Sequence, residues 1–120
     1  MIKQLINPEI FHHIYAIATQ ECLRTIPESL LNSSKDEWIN KIQLVLGENF
    51  SLINSRTLMA TNLLIFVSKT VINLISNIES DLVSNGLGNL FGNKGATAIS
   101  FYIGGTSLLF VSLHLAGNFI

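Results

Sequence analysis

Two patterns of apolar residues organise the first half of the chain. The apolar run Ile14–Ala18 is short and continuous, which predicts a buried central strand that ends in the polar pair Gln20 and Glu21. A second stretch, SSKDEWINKIQLVL, places its apolar residues at helical spacing after serine caps and early acids. It predicts a helix that ends at Gly47. Upstream, NPEIFHH predicts a short helix or turn with Asn7 as its N-cap.

The second half changes to short strand-like runs separated by small polar residues. These runs read FSLINSRTLM, NLLIFVSK, VINLIS and IESDLVS. Two further runs, ATAISFYI and TSLLFVSLHL, are joined by Gly104 and Gly105, which predicts a hairpin. One strand, one helix and then a series of largely antiparallel strands predict a single α/β (α+β) unit built on a mixed layered sheet.

Composition narrows the class of protein. The formal net charge of −1 leaves no broad basic surface for a nucleic-acid backbone, so a nucleic-acid partner is not expected. The hydrophobic fraction of 48% indicates strands buried on both faces, or surface that further chain covers. We find no signal peptide and no apolar run near the ~20 residues of a membrane span. We therefore expect a cytoplasmic protein, with peripheral membrane contact left open.

Glu21 is the first candidate for chemistry. A carboxylate just beyond a strand lies at a sheet edge, where active sites commonly open, and carboxylate oxygens suit Mg²⁺. An ordinary surface acid is the alternative explanation.

The second candidate is the glycine loop GLGNLFGNKG. It fails the dinucleotide pattern because Phe91 stands where glycine is required, and it fails the P-loop pattern because Asn93 separates Gly92 from Lys94. Its glycines nevertheless free the backbone, so that amide groups and the Lys94 ammonium can converge on a phosphate. A hairpin loop whose lysine merely faces water is the alternative.

His114 closes the apolar run LLFVSLHLAG. A histidine can hydrogen-bond a phosphate oxygen or move a proton near neutral pH. The alternative is a structural histidine whose polar atoms are satisfied within the fold.

The order of these phrases is more specific than any one of them. TQE after a strand, then GNKGATAISF, then FVSLHLAG resembles the inositol polyphosphate 5-phosphatase family, from Ile14 to Gly117. That family shares its fold group with DNase I-like nucleases and sphingomyelinases. The resemblance implies a four-layer α/β/β/α sandwich and Mg²⁺-dependent hydrolysis of the 5-phosphate of a phosphoinositide lipid or an inositol phosphate.

The residues that match the family's motifs are expected to have the roles that the family's residues have. The resemblance implies that Glu21 binds magnesium and that His114 contacts the scissile phosphate and stabilises the transition state. It further implies that Asn93 and Lys94 face the phosphorylated headgroup. The apolar residues of the preceding loop would face the membrane; they are Leu87, Leu90 and Phe91.

The chain also departs from the family pattern. It reads HLAG where the family usually reads His-Leu-Ala-Ala-Gly, no strand with a metal-site asparagine precedes Ile14, and Ile120 comes before the Asp-x-Asn and Asp-His motifs. Residues 1–120 are thus predicted to be a partial catalytic domain, inactive alone and prone to associate through an uncovered sheet face. A nuclease or sphingomyelinase relative and a non-catalytic remnant that binds a partner or an anionic membrane are the alternatives.

Overall fold

The computed structural model describes residues 2–20, 28–58, 61–84 and 94–115, with the side chains of helix α2 described from residue 35 onward. Within these described ranges there are two helices and six strands, with a 3₁₀ turn before β4. In chain order these are α1 (Ile2–Ile6), β1 (Ile14–Thr19), α2 (Glu28–Leu46), β2 (Phe50–Leu58), β3 (Thr61–Ser68), the turn Ile72–Leu74, β4 (Ile75–Ser84), β5 (Gly95–Ile103) and β6 (Thr106–His114).

The strands form two three-stranded sheets that pack face to face. The first sheet has the order β1-β3-β2 and the second has the order β4-β5-β6. Every pairing is antiparallel. The hairpin between β5 and β6 turns at Gly104, whose φ of 57° is readily adopted by glycine. The predicted fold class is confirmed.

Strand β3 is the centre of the molecule. All of its residues are buried, because both of its faces are covered. On one face Leu63, Ile65 and Val67 meet Ile99 and Phe101 of the second sheet. On the other face the strand packs against the helices through Leu64 and Phe66, which contact Ile6 and Ile42. Burial on both faces explains why the sequence of β3 is continuously apolar rather than alternating.

Helix α2 covers the outer face of the first sheet. Trp38, Ile42 and Val45, which the sequence placed at helical spacing, pack on this face. The helix ends as predicted at Gly47, whose φ is 85° and whose N–H donates to the Gln43 carbonyl at 2.8 Å. It begins at Glu28, earlier than the predicted serines. Neither helix that the structure describes is long and apolar enough to cross a membrane.

Two predictions about the N-terminal region are wrong. Strand β1 lies at the edge of the first sheet, beside β3 alone among the described strands, and its residues are exposed or half-buried rather than central. Asn7 ends a helix instead of starting one: its φ is 42° and its N–H donates to the Lys3 carbonyl at 3.1 Å. Asparagine tolerates this left-handed conformation, which is common at helix C-termini. Its polar side chain suits an N-cap equally well.

A third difference concerns the runs VINLIS and IESDLVS. The first of them begins as the 3₁₀ turn, and the rest joins the second run in the single strand β4. Asn77 separates the two runs with a φ of 49°, at a register irregularity between Ser76 and Glu79. The polar residue that suggested a break therefore makes a bulge within one strand.

The outer face of the second sheet exposes several large apolar side chains. Six large apolar side chains on this sheet are between 42% and 65% exposed: Ile78, Val83, Tyr102, Leu109, Val111 and Leu113. The described residues thus form three layers, in the order helices, first sheet and second sheet. This arrangement agrees with a partial four-layer sandwich.

The double burial of β3 predicts a large loss of stability when its inner face is truncated. Ile65→Ala should lower the free energy of unfolding by about 2–5 kcal/mol, because Ile65 is 0% exposed between the sheets. Leu44→Ala on α2 is the control, since Leu44 is 83% exposed and should change stability by no more than about 0.5 kcal/mol. Urea unfolding measures both. Equal losses would contradict this assignment of the core.

Candidate functional site

One end of the two sheets brings Lys94 and His114 together with other polar residues. In the first sheet Thr19 lies opposite Asn62, which lies opposite Thr57. In the second sheet Gly95 lies between Ser84 and His114. Strands β1, β2, β4 and β6 end here, and β3 and β5 begin here. We call this the site end of the molecule.

Gln20 links the two sheets at the site end. Its side-chain amide donates a hydrogen bond to the backbone carbonyl of Leu113, 93 residues away in the chain. The contact brings the end of β1 beside the residue that precedes His114. Sequence analysis gave Gln20 no role, although its place directly after an apolar strand is a signal that it lies at a sheet edge.

Lys94 and His114 meet at the same end. The Nζ atom of Lys94 lies 2.6 Å from the Nε2 atom of His114, and both side chains are half-buried. Their backbones are brought together by the register that sets Gly95 opposite His114. The lysine therefore does not simply face water, which was the alternative explanation of the glycine loop.

Gly95 fixes the position of Lys94. Its φ is 149°, and a Cβ atom at this position would lie 2.0 Å from the carbonyl oxygen of Val83 and 2.7 Å from Cδ2 of Leu58. Only glycine fits so close to the neighbouring strand and to the first sheet. Lys94 consequently precedes β5 at a point where β2 and β4 enclose the backbone of Gly95.

Buried polar residues lie just inside the site end. Thr57 Oγ1 donates to Oδ1 of Asn62 at 2.8 Å, and Asn62 is 2% exposed. One step further along the second sheet, Thr97 and Ser112 lie opposite each other and are both buried. Neither hydroxyl has a hydrogen-bond partner among the residues that the structure describes. Polar residues at inward-facing strand positions could have indicated this polar interior from the sequence, but they were not singled out there.

The other predicted site residues lie outside the described residues. They are Glu21, Asn93, Leu87, Leu90 and Phe91. Glu21 directly follows Gln20 in the chain, and Asn93 directly precedes Lys94. Within the described ranges, no group of three or more His, Cys, Asp or Glu residues could hold a metal ion. Magnesium binding by Glu21 remains a prediction.

Comparison with known proteins defines the class to which this fold and site belong. The model of the Endonuclease/Exonuclease/phosphatase family 2 matches residues 1–118. The chain belongs to this family.

Within that class the chain is similar to inositol polyphosphate 5-phosphatases. It is 35% identical over 111 residues to human phosphatidylinositol 3,4,5-trisphosphate 5-phosphatase 1, a match that covers 89% of the chain and 9% of the relative. It is 30% identical over 115 residues to inositol-1,4,5-trisphosphate 5-phosphatase 1 of Schizosaccharomyces pombe, over 88% of the chain and 11% of the relative. The chain thus spans about a tenth of the length of these curated relatives.

Solved structures show the same fold. The inositol polyphosphate 5-phosphatase domain of SPsynaptojanin, in complex with inositol (1,4)-bisphosphate and a calcium ion, superimposes with a TM-score of 0.75 at 29% identity, over 92% of this chain and 33% of that one. A nitrophorin of Cimex matches with a TM-score of 0.76 at 13% identity, over 100% of this chain and 42% of that one. The nitrophorin match shows the shared fold alone.

The enclosure of Gly95 predicts that a single methyl group disrupts the site end. Gly95→Ala should lower the free energy of unfolding by about 2–4 kcal/mol, because the added Cβ meets backbone and the φ is unfavourable for alanine. Gly105→Ala is the matched control, since a Cβ there meets nothing within 4 Å. Thermal unfolding of the two variants tests the prediction. A Gly95→Ala protein as stable as the control would contradict the packing described here.

Proposed function

We propose that the protein containing this chain removes the 5-phosphate of inositol phosphates or phosphoinositide lipids, with water as the phosphoryl acceptor and with Mg²⁺ as cofactor. The observation that carries the proposal is the contact of Lys94 with His114 at 2.6 Å, beside the end of β1. The two residues come from the GNKG and HLAG phrases, and relatives with 30% and 35% identity bear the names of 5-phosphatases.

His114 and Lys94 supply the groups that phosphate hydrolysis needs. A phosphoryl group gains and redistributes negative charge as it is transferred, and hydrogen-bond donors aimed at its oxygens stabilise the transition state. His114 is assigned to contact the phosphate group that is removed from the substrate. The Lys94 ammonium is assigned to offset the negative charge of that phosphate. Their half-buried position strengthens both interactions relative to those at an open surface.

Magnesium binding is assigned to Glu21. This assignment is supported by the hydrogen bond from Gln20 to Leu113, which holds the residue before Glu21 in the chain next to the residue before His114. When bound, Mg²⁺ would offset developing charge and help to orient the attack. The calcium ion in the SPsynaptojanin complex supports a divalent cation in this class of site.

The substrate class extends to both soluble and lipid-borne headgroups. One relative is named for inositol-1,4,5-trisphosphate and the other for phosphatidylinositol 3,4,5-trisphosphate. Asn93 is assigned with Lys94 to the phosphorylated headgroup. A lipid substrate would place the apolar loop residues Leu87, Leu90 and Phe91 toward the membrane, at which the protein would act peripherally from the cytoplasm.

The activity is proposed for the longer protein rather than for residues 1–120 alone. The chain covers 33% of the solved 5-phosphatase domain. The family resemblance described above implies that further catalytic groups lie outside the region that the chain matches. We expect the isolated chain to be inactive.

Substitutions at the paired residues should reduce turnover without unfolding the protein. In the full-length protein, His114→Gln is expected to lower kcat by about 10²–10³, because it removes a contact made in the transition state. Lys94→Met is expected to lower kcat/KM for inositol-1,4,5-trisphosphate by at least about tenfold. Phosphate release measures both effects.

Lys69→Met is the control for these variants, because Lys69 is exposed in the turn after β3. It should leave the kinetics and the melting temperature unchanged. If His114→Gln and Lys94→Met behave like this control, the two residues do not belong to a phosphatase site.

The outer face of the second sheet should make the isolated chain associate. We propose self-association through this face, because Leu109 and Val111 of its edge strand β6 are 65% and 48% exposed. The double variant Leu109→Lys/Val111→Lys should shift residues 1–120 toward monomer in sedimentation velocity. Leu44→Lys, on the exposed side of α2, should not. A wild-type chain that sediments as a monomer at all concentrations would contradict the proposal.

A further inference from the structure

The contact between Lys94 and His114 determines which atom of the imidazole carries its proton. A lysine ammonium has three N–H donors and no acceptor, so across the 2.6 Å contact it can only donate. Nε2 of His114 must therefore accept, and a ring that accepts at Nε2 is neutral with its proton on Nδ1. In this state Nε2 cannot donate a hydrogen bond to a phosphate oxygen.

The distance also limits what the two residues can bind. Two nitrogen atoms 2.6 Å apart point to one location, and both belong to side chains that the β5–β6 register holds at the same end of the second sheet. Gly95, enclosed by Val83 and Leu58, keeps Lys94 at this location. Such a pair can reach oxygens of a single phosphate group.

From this geometry we infer that Lys94 and His114 bind one phosphate as a unit, and that Lys94 is also the positioning residue that holds the His114 ring in its Nδ1-protonated form until phosphate arrives. A phosphate oxygen competes with Nε2 for the ammonium proton. To donate to the phosphate in turn, Nε2 must gain a proton, either from solvent or by exchange of the Nδ1 proton. The phosphate thus exchanges a lysine–histidine hydrogen bond for two charge-assisted bonds to its own oxygens. This inference rests on the proposed function for its biological ligand, but not for its test.

The ring state is measured directly by NMR. The full-length protein, labelled with ¹⁵N-histidine, is examined without ligand at about pH 8, where free imidazole is neutral, and His114→Gln identifies the signals of His114. We expect Nδ1 to be protonated and Nε2 unprotonated in the wild type. Lys94→Met should move the proton to Nε2, and Lys94→Arg, which also only donates, should retain the wild-type pattern. A ring state that is the same in wild type and Lys94→Met would overturn the inference. Lys69→Met controls for a general effect of losing a lysine.

Inorganic phosphate tests the shared ligand, because it carries one phosphate only. Titrated into the wild type, it should protonate Nε2 of His114. Lys94→Met should weaken the binding of inorganic phosphate by about tenfold or more. The Lys94→Met/His114→Gln double variant should lose less than the product of the two single losses. Unchanged affinity in Lys94→Met would show that Lys94 does not bind the phosphate, and losses that multiply would show that the two residues bind it independently rather than as a unit. Either result would overturn the inference.

These readouts separate this inference from the proposed function. If the protein releases no phosphate from inositol phosphates while Lys94 still sets the ring state and binds inorganic phosphate, the proposed function fails and the pair stands. If the protein is a 5-phosphatase but the protonation of the His114 ring is the same with and without Lys94, this inference fails and the proposed function stands.

Discussion

The close approach of the two sheets at Gly95 is the constraint on which the site depends. The carbonyl of Val83 and the side chain of Leu58 occupy the space that any Cβ would need. Because the backbone at this point is enclosed by strands from both sheets, the residue before it cannot swing freely as a loop lysine would. Lys94 is thereby brought to His114, which the antiparallel register places across from Gly95. Gln20 closes the same end from the first sheet.

The buried strand β3 supplies the rigidity behind this end. It is covered on one side by the helices and on the other by the second sheet, so its position is set by packing in two directions. Its first residues, Thr61 and Asn62, are buried at the site end, and Asn62 accepts a hydrogen bond from Thr57 there. The strands that end or begin at the site are therefore attached to the best-packed part of the molecule.

Local patterns in the sequence predicted most of the elements, and tertiary position explains the failures. The helix at Trp38 and Ile42 and the hairpin at Gly104 depend on spacing and turn chemistry, which are local. Whether the apolar run of β1 is central or at an edge depends on which strands pair with it, and no local pattern carries that information. The contact of Gln20 with Leu113 spans 93 residues and was likewise beyond local reasoning. The order of the motifs singled out Lys94 and His114, which the structure brings into contact, and their roles remain predictions.

Similarity of fold and similarity of sequence differ between the two solved structures that match the chain. The nitrophorin and the 5-phosphatase domain superimpose on the chain almost equally well, with TM-scores of 0.76 and 0.75. Their identities differ, at 13% and 29%, and the functional proposal follows the residues at the site rather than the arrangement of sheets.

The most direct test of the account is the identity of the product that the full-length protein forms. Purified protein is incubated with inositol-1,4,5-trisphosphate and Mg²⁺, and the product is identified by ³¹P NMR. The account predicts loss of the 5-phosphate alone, leaving inositol 1,4-bisphosphate, and no reaction after the metal is chelated. Release of a different phosphate, or no release with Mg²⁺ present and the protein folded, would contradict it.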